Sequence, residues 1–365
     1  MGHIQRIMGI VLTTLLIVAC GQTPAAQPTA TPGNETAALP TTAPTTAPTT
    51  APAPTEVPTA QPTVASEPLA VMASTTIVAD VVRQIGGERV KVETIVPPGA
   101  DGHNYEPTPQ DLARVSTAKI IFTVGAGYEE FLDRLIASSR TKAEVVSLSE
   151  NLALRTLREE EVGNVMHSHE HGDEHGDEHG DEHGDEHGVG ATDAHTWTDP
   201  TNVKIWADVI ASNLSRLDPA NASFYAERAA AYQGQLDELD RWIAEQFAAI
   251  PAERRLIVAD HIIFGYMADR YGLQQVGAII PGVSTSATPS AQELAALQDL
   301  ITDRGIKAIF VGEIANTQLA EQIARDTGAR IVTVLTETLT DANGPGATYI
   351  DYMRFNVQQI VDALR

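Results

Sequence analysis

The sequence predicts an α/β protein of two lobes, each with a mainly parallel sheet flanked by helices, joined by a long connecting helix. Three observations carry this. Short β-branched runs alternate with helix-period segments from Leu69 onward, the same alternation restarts at Arg255, and a helical pattern runs between them from Pro219 to Ala248. Strands that alternate with helices build parallel sheets, because each helix carries the chain back to the start of the next strand.

In chain order, Ala70–Ser74 reads as a strand, and Ile77–Ile85 reads as a helix stopped by Gly86-Gly87. Val90–Val96 is a strand that runs into Pro97-Pro98-Gly99. Residues 108–117 form a helix, Lys119–Val124 a strand and Tyr128–Ser138 a helix. Helical patterns over 201–217 and 219–248 follow, the second opening on Pro219. At about 1.5 Å per residue the second could span a small domain. The later half has strands at Arg255–Ala259, Gln275–Ile279, Ala308–Val311 and Arg330–Val334. Its helices are expected at Ile263–Tyr271, Ser290–Arg304, Thr317–Thr327 and Thr348–Leu364. The domains expected are an N-terminal lobe over 68–218, a connector over 219–248 and a C-terminal lobe over 249–365.

Residues 1–20 precede all of this with Arg6, an apolar run from Ile7 to Val18, and Ala19-Cys20. A run this short behind a basic residue reads as a secretory leader, since a membrane span needs about 20 apolar residues. Ile17-Val18-Ala19-Cys20 resembles the lipobox of bacterial lipoproteins, which implies lipidation of Cys20 and a chain anchored to the outer face of the cell membrane. Residues 21–67 consist mostly of Pro, Thr and Ala. Such a segment buries too little to offset its ordering entropy, so it is expected to be a disordered tether.

The 365 residues hold 48 acidic and 24 basic side chains, a formal net charge of -24. Nucleic acid is a poor partner for that balance, because phosphate contacts need basic patches. The single cysteine excludes internal disulfides and thiolate zinc knuckles. Any metal chemistry must therefore use imidazole and carboxylate, and the chain has 11 histidines.

His167, His169, His171, His175, His179, His183 and His187 lie in a loop over 164–190, interleaved with Asp-Glu pairs and glycines. Each HGDEH unit matches the H-x-x-E-H string of one metalloprotease class. A glycine every fourth residue costs about 1 kcal/mol each in a helix, and no apolar face is present to dock one. A flexible, multi-site, low-affinity collector of metal ions is the better reading, with a solvated acidic loop as its alternative. His3 lies in the leader. The remaining three, His103, His195 and His261, each fall at a strand end or in a loop, where α/β domains collect binding residues.

The strings around these three carry a resemblance. His103 opens HNYEPTP, His195 opens HTWTDP and His261 opens HIIFGY. In this order they are similar to the H-x-Y-E-P-T-P, H-x-W-x-D-P and H-x-x-F-G-Y elements of the solute-binding lipoproteins of zinc and manganese ABC transporters, the ZnuA/TroA-like cluster. The resemblance covers residues 70 to 365. It implies three histidine ligands, His103, His195 and His261, and a fourth carboxylate ligand in a D-S-L-like tripeptide. Here that tripeptide is Glu337-Thr338-Leu339, ahead of GATYIDYMRFN. Glutamate replaces the usual aspartate, which leaves Asp341 as the other candidate. The resemblance also implies capture of a metal ion outside the cytoplasm and its delivery to an ABC permease. An acidic His-rich loop before the second histidine ligand belongs to the zinc members. Members that prefer manganese often carry a glutamate at the third position, so His261 points to Zn²⁺, with Mn²⁺ the alternative.

Three neutral imidazoles and one carboxylate form a tetrahedral N/O set suited to Zn²⁺ and leave the ion with a net charge near +1. Four protein donors close the position that hydrolytic zinc keeps for water, so no enzymatic activity is expected. Asp101, Tyr105, Glu106, Trp197, Asp199 and Asp260 are candidates to support the ligands, with Glu106 equally well placed to cap the next helix. A monomer is expected. A secreted zinc hydrolase and an adhesion module holding a structural metal are the competing readings.

Overall fold

The computed structural model describes residues 67–162, 188–313, 315 and 317–365. The leader, Cys20, the tether up to residue 66 and the seven histidines of the loop lie outside the described residues. The first lobe contains β1 (Leu69–Ala73), α1 (Thr76–Gly86), β2 (Val90–Thr94), α2 (Pro109–Thr117), β3 (Ile120–Thr123), α3 (Leu132–Ser139), β4 (Glu144–Ser147) and a short α4 (Glu159–Val162). Two helices, α5 (Pro200–Leu217) and α6 (Ala222–Ala248), lead to the second lobe. That lobe contains β5 (Leu256–Ala259), α7 (Gly265–Tyr271), β6 (Gln274–Ala278), α8 (Ala291–Asp303), β7 (Ala308–Gly312), α9 (Thr317–Thr327), β8 (Arg330–Val334) and α10 (Tyr349–Leu364).

Both sheets are parallel and share one topology, with strand orders β2-β1-β3-β4 and β6-β5-β7-β8. Side chains alternate across each strand, so one strand feeds two cores. Val71 and Ala73 of β1 and Ile120 and Phe122 of β3 enter one large cluster, whereas Met72 and Ile121 face a smaller cluster on the outer side. In the second lobe Ile257, Ala259 and Phe310 join the same large cluster, and Val258, Ile309 and Val311 face an outer one. The large core is thus common to both lobes. Its centre is α6, whose apolar stripe Tyr225, Ala229, Tyr232, Leu236, Leu239, Ile243 and Phe247 is buried. The final helix α10 returns to pack on α6 and α1.

Several element ends differ from the sequence expectation, each for a local reason. The third helix starts at Leu132 and not at Tyr128, because residues 125–127 hold left-handed backbone, with φ of 80°, 56° and 86°. Two of the three are glycine, which reaches that region without strain. The connecting helix proper begins at Ala222, after a 3₁₀ turn over Pro219–Asn221. Strand β4 and helix α4 have no counterpart in the sequence reading. The EVVS stretch of β4 is an edge strand with no fully buried residue, so it lacks the apolar run that marked the others. Helix α2 is capped by Thr108, whose hydroxyl accepts from the Asp111 amide, while the Asp111 carboxylate accepts from the Thr108 amide. Glu106 is exposed and takes no part in that cap.

Candidate metal centre

Parallel α/β sheets present their binding loops at the carboxyl ends of the strands. His103 lies in the loop after β2, His261 two residues after β5, Glu337 three residues after β8, and His195 just before the turn that opens α5. From four separate loops, one ligand atom of each residue converges within 4.8 Å of the others. All four side chains are buried, at 6%, 0%, 1% and 3% exposure for His103, His195, His261 and Glu337. Asp341, by contrast, is exposed, and its carboxylate accepts from the Asn343 amide. The geometry thus gathers the three histidines with Glu337 and leaves Asp341 outside.

The spacing inside the cluster is near that of a four-coordinate ion, with the widest pairs up to 4.8 Å apart. His103 Nε2 and His195 Nε2 are 3.2 Å apart, and Glu337 Oε1 lies 3.0 Å from His261 Nε2 and 3.8 Å from His195 Nε2. A tetrahedron with bonds of about 2.0–2.1 Å has edges of about 3.3 Å. Among the described residues, His261 Nε2 and Glu337 Oε1 have no aligned hydrogen-bond partner despite full burial. Two such atoms facing one point are costly unless something else satisfies them.

The surroundings aim the rings. Asp193 Oδ1 accepts from both the backbone amide and Nδ1 of His195, each at 2.9 Å. Asp260 Oδ1 does the same for His261, at 2.9 and 3.1 Å, and its other oxygen accepts from the Gly312 amide. A carboxylate only accepts, so each Nδ1 carries a proton and each Nε2 faces inward, where it binds a metal once any proton on it is displaced. Asp101 accepts from the His103 amide at 2.9 Å. Arg155 holds Asp193 at 2.6 Å and also reaches Asp269 at the C-terminal lobe, at 3.2 Å. Tyr128 donates its hydroxyl to Glu337 Oε2 at 2.5 Å.

Of the expected supporting residues, Asp101 and Asp260 touch ligand residues as described. Trp197 packs edge-on against the His195 ring at 5.2 Å. Three are corrected. Tyr105 donates to Asp111, Glu106 points to solvent, and Asp199 caps α5 through the Thr201 amide and pairs with Arg270. Asp193 and Tyr128 escaped the sequence reading. A signal for Asp193 was present, because Asp193-Ala-His195 repeats the spacing of Asp101-Gly-His103. Tyr128 had none, being 209 residues from its partner.

Burial lowers the His103 pKa to about 3, against a smaller opposing pull from Glu337. Burial also presses down on His261, but the Asp260 carboxylate, and then Glu337, outweigh it and raise the pKa to about 10. Burial would raise the Glu337 pKa, but contact with His261 and the charges of the imidazoles hold it well below the usual range. Burial and the neighbouring Glu337 push Tyr128 far above its ordinary value, so its hydroxyl stays a donor. A cavity of about 340 Å³ lined by Asp101, Asp260, Thr285 and Thr336 reaches His261 and Glu337, and another of about 490 Å³ beside Glu130 and Leu154 reaches His103.

Two parallel-sheet lobes around a shared helical spine, with a buried three-histidine, one-carboxylate cluster between them, define a class of binding protein with the donors of a metal site. The chain matches the family described as zinc-uptake complex component A, periplasmic, over residues 71–363, and it belongs to that family. It is 32% identical over 302 residues to the manganese-binding lipoprotein MntA of Halalkalibacterium halodurans, covering 82% of this chain and 89% of the relative. It is 27% identical over 305 residues to the metal ABC transporter substrate-binding lipoprotein SloC of Streptococcus mutans, covering 82% and 91%. Among solved structures, the periplasmic zinc-binding protein TroA of Treponema pallidum superposes with a TM-score of 0.69 at 24% identity, covering 82% of this chain and 99% of that one. The Mn-bound periplasmic metal-binding protein of candidatus liberibacter asiaticus gives 0.67 at 22% identity, covering 81% and 100%.

Proposed function

We propose that the chain is an extracytoplasmic solute-binding protein that captures Zn²⁺ at His103, His195, His261 and Glu337 and hands it to the permease of an ABC uptake system. The observation that carries the reading is the convergence of three imidazole nitrogens and one carboxylate oxygen within 4.8 Å, all from buried residues, with two of the four atoms facing each other without an aligned hydrogen bond. Family membership supports the transport role. Four protein donors complete a tetrahedral set and leave no position for a reacting water, which favours capture over hydrolysis. The proposal includes lipidation at Cys20, which would hold the protein at the membrane where the permease lies. It also includes weak auxiliary binding by His167, His169, His171, His175, His179, His183 and His187. The lobes are assigned to 68–218 and 249–365, with 219–248 as connector, and the working form is a monomer.

Manganese is the second reading, favoured by a relative named as manganese-binding. Against it stands the donor set, since imidazole-rich sites follow the Irving–Williams order and favour Zn²⁺ over Mn²⁺. Transport further requires that the ion come and go without loss of fold. Removal of zinc by a chelator should leave the circular dichroism spectrum of the lobes unchanged, and added zinc should rebind at one equivalent. Unfolding on metal removal would make the ion structural and end the transport reading.

A further inference from the structure

We infer that Tyr128 sets the metal selectivity of the centre by occupying one oxygen of Glu337 and so holding that residue to a single metal bond. The inference rests on the metal-capture reading and adds the cause of its preference. Tyr128 donates to Oε2 at 2.5 Å, whereas Oε1 has no aligned partner among the described residues and lies 3.0 Å from His261 Nε2. Oε1 is the oxygen nearer His261 and His195, whereas Oε2 is turned toward His103, 4.0 Å from its Nε2. The two oxygens thus have different work: one faces the convergence point, and the other is engaged in a charge-assisted hydrogen bond, among the stronger kinds in a dry interior.

The phenol cannot easily turn away. Its ring stands edge-on to His103 at 4.6 Å and to Trp197 at 5.1 Å. Position 102 makes room for it: a Cβ on Gly102 would lie 2.3 Å from the Tyr128 hydroxyl and 2.6 Å from the ring edge. Glycine at 102 is what lets the hydroxyl reach a glutamate in the fourth position.

The consequence follows from coordination number. A carboxylate bound through one oxygen gives four donors with the three imidazoles, the tetrahedral arrangement of Zn²⁺. Larger and harder Mn²⁺ favours more donors and more oxygen, so denying it Oε2 disfavours it. Without the hydroxyl, Glu337 can rotate and offer both oxygens, giving five donors.

Tyr128→Phe keeps the ring and removes only the hydroxyl. Wild-type and variant proteins are titrated in direct competition between Zn²⁺ and Mn²⁺, and the zinc-loaded forms are compared by X-ray absorption at the zinc edge. The Zn²⁺ to Mn²⁺ affinity ratio should fall by about tenfold in the variant, the scale on which residues behind metal ligands act. The count of nitrogen and oxygen neighbours at zinc should rise from four to five. A uniform weakening toward both metals with the ratio and the count unchanged would overturn the proposal, because Tyr128 would then only position Glu337. A wild-type protein without a tight site for either ion would fail at the earlier step and refute the capture reading together with this one.

Discussion

Glu337 brings Oε1 within 3.0 Å of His261 Nε2 from a loop anchored behind it. That loop is fixed by the neighbouring lobe: the Leu339 amide donates to Thr76 at 2.8 Å and the Gly99 amide to Thr338 at 3.3 Å. Glu337→Ala should cut zinc affinity by orders of magnitude, while Asp341→Ala should change it little, as read against a zinc-chelating dye. The reverse ranking would move the fourth position to Asp341. Protons compete at the same atoms. The raised His261 pKa, about 10 against an ordinary 6.5, places a proton there at neutral pH that the incoming metal must displace, whereas His103, near 3, has none to lose. Apparent zinc affinity should therefore rise by about tenfold per pH unit on account of His261 as pH increases toward 10. The metal-free fold has the related dependence: the contribution of protonated His261 is full below pH 6.5 and is lost as pH rises through 10. A pH series of competition titrations that stays flat from pH 6 to 8 would show that His261 holds no proton for the metal to displace.

At the scale of elements, the strands and helices that carry binding residues were mostly legible because they are short apolar runs punctuated by glycine and proline. What could not be read depends on neighbours far along the chain. The edge strand β4 is held by parallel pairing with β3, and only its half-buried Val146 packs on the large core. The late start of α3 follows from left-handed backbone at 125–127, where Ala126 gives no warning of a positive φ. The three histidines stood out by their positions at strand ends or in a loop, and Glu337 only by family resemblance. The Tyr128 contact exists only once the lobes meet. Helix α2 illustrates the reverse case, a cap written locally as Thr108-Pro-Gln-Asp111. Burial would raise the Asp111 pKa, but the Thr108 hydroxyl and amide, with Arg114 and Tyr105, outweigh it and hold the value near 2. Its ordinary value is 3.8, so the contribution is present above that and is lost as pH falls through about 2. Asp111→Asn should cost about 1 kcal/mol in urea unfolding at pH 7 and progressively less toward pH 2. Equal losses at both pH values would show that the charge of Asp111 does not matter to the cap.

For the whole molecule, the connecting helix does more than join the lobes. Its buried stripe is the centre of a core that includes α1, α5, α10 and one face of each sheet, so the lobes share one hydrophobic interior. Substitution of Leu239, fully buried in that stripe, by alanine should destabilise the protein by about 2–5 kcal/mol, and both lobes should melt together. Two separate transitions in calorimetry would contradict a common core. The His-rich loop lies apart from this framework in sequence, and deletion of residues 167–188 should leave one tight zinc equivalent in calorimetry while removing the weaker ones. Loss of the tight equivalent would mean that the loop supplies part of the main site. The most direct test of the central claim is anomalous diffraction from crystals grown with equal Zn²⁺ and Mn²⁺, with data collected on both sides of the zinc edge. The proposed zinc site predicts a single strong zinc peak bonded to Nε2 of His103, His195 and His261 and to Oε1 of Glu337, at about 2.0–2.2 Å. A peak elsewhere, or an ion at these four residues with no zinc-edge signal, would contradict it.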